Sequence, residues 1–85
     1  LRIATLNVHF FQDAKEQLNV FRLAKLLEPL ELDVLAVQEA FHTDEPEGAA
    51  KQNRYHFRRL AQLLDFPHLT FCNVTNDFGN GLLSK

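Results

Sequence analysis

The stretch DVLAVQE, residues 33–39, decides the fold of this chain, together with TLNVH at residues 5–9. Each segment is an apolar run of strand composition whose last residues carry an amide or a carboxylate. Doubly wound α/β enzymes place polar groups at the edge of the sheet in this way. The chemistry of the protein is therefore expected near Asn7 and Glu39.

The segment between the two strands has the pattern of a helix. Between residues 13 and 27 apolar side chains recur at helical spacing, and Pro29 ends the pattern, the apolar positions being Leu18, Phe21, Ala24 and Leu27. Strand, helix and strand form a βαβ unit, in which the strands are parallel and their carboxyl ends share one edge. Asn7 and Glu39 can then be neighbours. Both faces of residues 1–8 are largely apolar, which predicts a central strand.

The rest of the chain continues the α/β pattern. Residues 41–53 have loop composition, residues 54–64 return to helical spacing, and residues 69–74 predict a third strand. A turn is expected at residues 76–79, and residues 81–84 read as the start of a fourth strand. Cys72 lies in an apolar run, where a small buried thiol is expected.

Composition indicates a globular protein and leaves its partners open. The 85 residues are 46% hydrophobic with eight Phe, and the net charge is −2. This charge gives no general attraction to nucleic acid or to an anionic membrane, so a phosphate-bearing substrate would have to be held by local basic groups or a metal. No stretch approaches the roughly 20 apolar residues of a membrane span. Neither the localisation nor the oligomeric state follows from these numbers.

Glu39 and Asn7 suit a metal and phosphate site. A carboxylate at the mouth of an apolar sheet is costly to desolvate unless a cation or hydrogen bonds compensate it. Mg²⁺ typically binds through one or two carboxylates together with water and phosphate oxygens. A nearby Asn amide can contact phosphate, orient Glu39 or orient a metal-bound water without adding negative charge. On spacing alone, however, a Glu after a strand is more often a helix cap or a rim residue.

Three blocks of the chain resemble the N-terminal part of the endonuclease/exonuclease/phosphatase superfamily, the deoxyribonuclease-like metal-dependent phosphoesterases. They are TLNVH at residues 5–9, DVLAVQE at residues 33–39 and GNGLLSK at residues 79–85. The resemblance implies that residues 1–85 are the N-terminal portion of a single domain, truncated on its C-terminal side. The implied fold is a four-layer α/β sandwich of two mixed β-sheets flanked by helices.

The resemblance also implies the site and its chemistry. Glu39 is implied as a ligand of Mg²⁺ or Mn²⁺, and Asn7 as an active-site residue near metal and phosphate. The implied activity is hydrolysis of phosphodiester or phosphomonoester bonds by a metal-activated water, in the manner of a nuclease. The Asp-x-Asn block and the late Asp-His pair of the family would fall beyond Lys85, so the 85-residue chain is expected to be inactive alone.

For several other polar residues, the sequence allows either a structural or a functional role. Asn80 suits a turn and the substrate side of the site equally well. His9 is a weaker substrate-binding candidate, because it shares the face of Asn7 only if the strand continues through it. A metal cluster of His42, Asp44 and Glu45 matches no established ligand spacing, and a solvated acidic loop is favoured. A basic stripe on the second helix could touch a nucleic-acid backbone, but a solvated helix face is favoured, the residues being Lys51, Arg54, Arg58 and Arg59.

Two functional classes follow. The first is a divalent-metal-dependent phosphoesterase acting on nucleic acid, a lipid headgroup or a small phosphate ester. The second is a catalytically silent binding or scaffold domain with the same fold. An unrelated flavodoxin-like or nucleotide-binding domain is disfavoured, because no Gly-rich phosphate loop follows the first strand. Substrate identity is not readable from these residues, since fold does not fix function.

Overall fold

The structure is a computed structural model that describes residues 1–8, 20–42, 55–75 and 78–85. The predicted His9 and the loop residues Asp44 and Glu45 lie outside these ranges. In chain order the elements are β1 (Ile3–Asn7), α1 (Val20–Leu27), a short 3₁₀ helix (Glu28–Leu30), β2 (Val34–Phe41), α2 (His56–Leu63), β3 (His68–Thr75) and β4 (Phe78–Ser84).

The described strands form one four-stranded mixed sheet in the order β1-β2-β4-β3. β1 and β2 are parallel, as the βαβ reading predicted, while β4 is antiparallel to both β2 and β3. The apolar sides of α1 and α2 share one buried cluster with inward residues of the sheet, including Leu35, Val37 and Leu83. The described part of the chain is therefore a mixed α/β fold with both helices on one face of the sheet.

Each helix is built on a buried apolar stripe. In α1 the buried side chains are Val20, Ala24 and Leu27, and in α2 the corresponding stripe includes Phe57 and Leu60. These positions recur every three or four residues, so each stripe faces the sheet. α1 is followed at Glu28 by the 3₁₀ helix, which contains Pro29. α2 ends in a pair of backbone hydrogen bonds to its last turn, from Asp65 N–H to Gln62 O (3.3 Å) and from Phe66 N–H to Ala61 O (2.8 Å).

The Phe57 ring lies directly on the sheet above Gly81. Phe57 is fully buried, and a Cβ built on Gly81 would collide with the Phe57 ring. The glycine is therefore needed for close approach of helix and sheet. The rings of His42 and Phe71 surround Phe57, with centroids 5.4 and 5.5 Å from its own.

The structure corrects four expectations. β1 lies at an edge of the described sheet, and Ile3 on its outer side is 64% exposed, so the central-strand reading is wrong. Cys72 is exposed because it lies on β3, the other edge strand, with its side away from the helices. β2 does not end at Glu39, as its sequence predicted, because pairing with β4 continues to Phe41.

The fourth correction concerns the turn expected at residues 76–79. Phe78 and Gly79 belong to β4, since they pair with Phe41 and Ala40 of β2. Asn76 and Asp77 lie outside the described residues. The apolar pattern that begins at residue 81 is only the second half of the strand, because the first half is polar and glycine-rich.

Gly81→Ala should destabilise the fold. The added methyl group meets the Phe57 ring, and overpacking of a filled core typically costs about 1–3 kcal/mol. The free energy of unfolding, measured with urea, should fall by that amount, whereas Leu82→Ala on the exposed side of the same strand should change it much less. Equal effects of the two substitutions would contradict the proposed packing.

Asp33 joins the starts of β1 and β2 to the end of β4. Its carboxylate accepts a hydrogen bond from the Arg2 backbone N–H (2.8 Å), and its own N–H donates to Arg2 O (2.8 Å). Its carbonyl oxygen accepts from the Lys85 N–H (3.0 Å). The Arg2 N–H bond, opposed by partial desolvation and aided by nearby positive charge, holds the pKa of the Asp33 carboxyl below its ordinary value of 3.8.

Part of the stability of the fold should therefore be lost in acid. A carboxyl whose pKa is lower in the folded state stabilises the fold above about pH 4, and that contribution disappears as the pH falls through the lower folded-state pKa. Asp33→Asn keeps an oxygen acceptor but cannot ionise. The free energy of unfolding, measured with urea between pH 3 and 6, should fall less steeply with decreasing pH in this variant than in the wild type. The wild type takes up a fraction of one proton at Asp33 on unfolding, and the variant does not. An unchanged slope would contradict the assignment.

Candidate functional site

A β-bulge in β2 lies at the centre of the candidate site. Val37 pairs with Gly81 and Ala40 pairs with Gly79, so two residues of β2, Gln38 and Glu39, face the single residue Asn80 of β4. Val37 and Ala40 are fully buried, while the two residues between them are half-buried. Bulges of this kind redirect side chains and are frequent beside active sites.

Glu39 has an unusual backbone conformation within the bulge. Its φ is 56°, in the left-handed region that residues other than glycine rarely adopt. This conformation costs roughly 1–2 kcal/mol for a residue with a Cβ. Such residues cluster at functional sites, where the surrounding structure maintains them. The strain therefore falls on the one carboxylate that the sequence singled out.

Asn7 lies beside the bulge on the neighbouring strand. It is the last residue of β1 and pairs with Gln38, and the next N–H along the chain, that of Val8, donates to Gln38 O (3.0 Å). Asn7 is exposed, on the side of the sheet turned away from both helices. We call this side the outer face; it carries Ile3, Thr5, Asn7, Thr70, Cys72, Asn80 and Leu82.

Asn80 completes the group from the other side of the bulge. It is exposed on β4, pairs with Cys72 of β3 and lies opposite Gln38 and Glu39. A second register shift, between Asn73 and Thr75 of β3, occurs next to the same part of β4. The three predicted residues Asn7, Glu39 and Asn80 thus occupy adjacent positions on three neighbouring strands.

Close strand packing requires a glycine beside Asn80. A Cβ on Gly79 would collide with the carbonyl oxygen of Cys72 on β3. The register shifts in β2 and β3 therefore both lie next to Gly79 of β4, where the backbones of β4 and β3 approach closely. Because Asn80 follows directly, its position is fixed by backbone packing on both sides.

Gln38 was not among the predicted site residues, yet it joins the two predicted strands. Its side-chain Nε2 donates a hydrogen bond to Thr5 Oγ1 (2.8 Å). The pairing scheme sets Thr5 against Ala36 and Asn7 against Gln38, so this bond runs diagonally, away from the carboxyl end of β1. The sequence signal was present in the two consecutive polar residues Gln38 and Glu39, which break the alternation of an apolar strand.

The donor groups of this region fit a sparse magnesium site. Glu39 supplies carboxylate oxygens, and Asn7 and Asn80 supply amide oxygens, which are the hard ligands that Mg²⁺ takes. Within the described ranges, no three His, Cys, Asp or Glu residues lie together in a way that could hold a metal ion. The described oxygen donors at the bulge are thus the Glu39 carboxylate and the neutral amides of Asn7 and Asn80.

The other polar candidates that the structure describes lie elsewhere, whereas Lys51 and Arg54 of the predicted basic stripe fall outside the described residues. His42 is buried in the aromatic cluster, with its ring centroid 5.4 Å from Phe57 and 5.3 Å from Phe71. Arg58 and Arg59 line a small groove on α2, and the Arg58 guanidinium lies 5.8 Å from the centre of the Tyr55 ring. Since α2 packs on the inner face of the sheet, this groove is separated from Asn80 by the sheet.

Glu39→Gly should relieve the strain of the bulge. Glycine adopts positive φ without a Cβ clash, whereas alanine retains the clash. Both substitutions remove the carboxylate and its contacts, so the comparison isolates the backbone. The free energy of unfolding of Glu39→Gly should exceed that of Glu39→Ala by about 1 kcal/mol. Equal stability of the two variants would mean that the left-handed conformation stores no strain.

Comparison with models of protein families, with curated proteins and with solved structures found no match to this chain. Neither of the described helices is long and apolar enough to cross a membrane. The function of the site must therefore be inferred from its own residues.

Proposed function

We propose that this chain carries part of the active site of a divalent-metal-dependent phosphoesterase. The observation that carries the proposal is that Glu39, Asn7 and Asn80 occupy adjacent positions on three neighbouring strands, with Glu39 in a strained bulge. The motif resemblance to the endonuclease/exonuclease/phosphatase superfamily singles out Glu39 and Asn7, and Asn80 lies within its third block. Its substrate would be a phosphate ester of nucleic acid, of a lipid headgroup or of a small molecule.

Glu39 would hold the metal ion. A half-buried carboxylate is stabilised by a cation that replaces its lost hydration. Bound Mg²⁺ or Mn²⁺ would supply a water of lowered pKa and positive charge for the phosphoryl oxygens. The neighbouring amides of Asn7 and Asn80 can orient Glu39 or contact phosphate oxygens, and their neutrality avoids repelling an anionic substrate.

The proposal also includes the larger fold to which this sheet would belong. The outer face of the sheet carries Ile3, which is 64% exposed, and Leu82, which is 46% exposed, near the half-buried Val34 and Ala36. An apolar surface of this kind suits packing against a second layer. We propose that a second mixed β-sheet covers it, so that residues 1–85 form the N-terminal portion of a four-layer α/β sandwich.

A catalytically silent binding or scaffold domain is the second candidate. A general base is needed to accept the proton of the attacking water. The phosphoesterase proposal places that base downstream of Lys85, whereas the scaffold proposal requires no base.

Glu39→Gln should abolish most of the activity of the full-length protein. The substitution keeps the size of the side chain but removes the negative charge that would hold the metal ion. Turnover of a generic phosphodiester with Mg²⁺ should fall at least ~100-fold, since metal stabilisation of several kcal/mol is lost. The reaction should also stop when the metal is chelated.

A matched control is Gln62→Glu on α2, which changes charge at an exposed position far from the bulge. It should leave turnover within a small factor of wild type. Wild-type turnover in Glu39→Gln would refute the metal-ligand role of Glu39. A folded wild-type protein with no activity on any phosphate ester would favour the scaffold candidate.

A further inference from the structure

We propose that Gln38, through its hydrogen bond to Thr5, is a positioning residue that holds the Glu39 backbone in its left-handed conformation. The proposal concerns the geometry of the bulge, and its functional part rests on the proposed metal-binding role of Glu39. Gln38 need not contact metal or substrate in this role.

The backbone of Gln38 is paired regularly with β1 but not with β4. On the β1 side, Gln38 is aligned with Asn7 and its carbonyl oxygen accepts the Val8 N–H at 3.0 Å. On the β4 side the regular pairing is interrupted from Val37 to Ala40. The backbone of Gln38 is thus anchored to β1, while the extra residue is accommodated on the side facing β4.

The side-chain bond strengthens the anchored side. Gln38 Nε2 donates to Thr5 Oγ1 at 2.8 Å, and both residues belong to the parallel pair β1 and β2. The bond fixes the Gln38 side chain on the outer face. A slip of one residue would move side chains to opposite faces of the sheet and would break this bond. The bond therefore opposes conversion of the bulge into a regular strand.

The direction of the bond also keeps the candidate site accessible. Thr5 precedes Asn7 by two residues on the same face of β1, so the Gln38 amide points back along the strands. The carboxyl end of β1, where Asn7 lies next to the bulge, is not occupied by that amide. The two residues thus have different roles. The Gln38 side chain maintains the backbone of the bulge, and the adjacent Glu39 supplies the charge.

The test compares substitutions that remove the bond from either side with conservative and distant controls. Thr5→Val removes the hydroxyl but keeps the branched shape suited to a strand, and Gln38→Leu removes the donor. Thr5→Ser keeps a hydroxyl acceptor. Thr70→Val makes the same change as Thr5→Val at an exposed position on β3. Urea unfolding of these four variants of the 85-residue chain, and of the double variant Thr5→Val/Gln38→Leu, verifies that each is folded.

Two readouts are taken on the same proteins. The NMR Cα chemical shift of Glu39 reports its backbone conformation without any metal, and titration with Mn²⁺ reports metal affinity. We expect Thr5→Val and Gln38→Leu to move the Glu39 shift toward the value of an extended strand and to weaken Mn²⁺ binding about tenfold. The double variant should be no worse than either single variant, because both remove one interaction. Thr5→Ser and Thr70→Val should match the wild type.

Each contrary result overturns a distinct statement. An unchanged Glu39 shift in both Thr5→Val and Gln38→Leu would refute the positioning role. A moved shift with unchanged Mn²⁺ affinity would refute the link between the bulge and metal binding. A wild-type chain that binds no Mn²⁺ would refute the proposed function of Glu39, while the chemical shift would still decide whether Gln38 maintains the bulge.

Discussion

The burial of both Val37 and Ala40 is the constraint on which the candidate site depends. In a regular strand, residues three apart point to opposite faces. Both side chains are nevertheless fully buried on the helix-covered side. An extra residue between them is the way to satisfy both, and β2 accordingly holds Gln38 and Glu39 together opposite Asn80. The hydrophobic core thus creates the irregularity that carries the polar residues.

The same constraint explains why the backbone strain is tolerated. Ala40 is held by the core and by pairing with Gly79, and Gln38 is held by β1 through its carbonyl oxygen and its side chain. Glu39 lies between these two fixed residues and takes the conformation that joins them. A chain under no such constraint would favour glycine at this position. Glu31 and Asp65 also have positive φ, but they lie at helix ends, so Glu39 is distinguished by its position within the bulge.

The region around the bulge combines one carboxylate with neutral amides. Asn7 and Asn80 carry no formal charge, so Glu39 is the charged member of this group of three residues. A single half-buried carboxylate binds a hard cation less tightly than a cluster would, and it leaves coordination positions for water or phosphate oxygens.

The sequence predicted the elements that depend on local patterns. The helical spacing around Ala24 and Leu27, the helix around Phe57 and the parallel pairing of β1 with β2 all agree with the structure. The adjacency of Asn7 and Glu39 followed from the βαβ connection alone. The roles of these residues in metal binding and catalysis stay predictions.

Features that depend on strand order were predicted wrongly. Nothing local to residues 1–8 indicates that β1 lies at a sheet edge, and nothing local to Cys72 indicates that β3 does. The continuation of β2 past Glu39 depends on pairing with Gly79 and Phe78, which are distant in sequence. Hydrogen bonds between strands involve backbone groups that every residue possesses, so side-chain patterns reveal them poorly.

The sequence by itself therefore determined the α/β class, the helices and the neighbouring positions of Asn7 and Glu39 on parallel strands. Periodic apolar residues and a short crossover connection specify these features directly. Only the tertiary structure decided the sheet order, the bulge, the left-handed backbone of Glu39 and the bond from Gln38 to Thr5. These features arise where the pairing of β2 with two neighbouring strands and the packing of the core constrain the same few residues. They depend on contacts between segments that are distant in sequence, so no single segment specifies them.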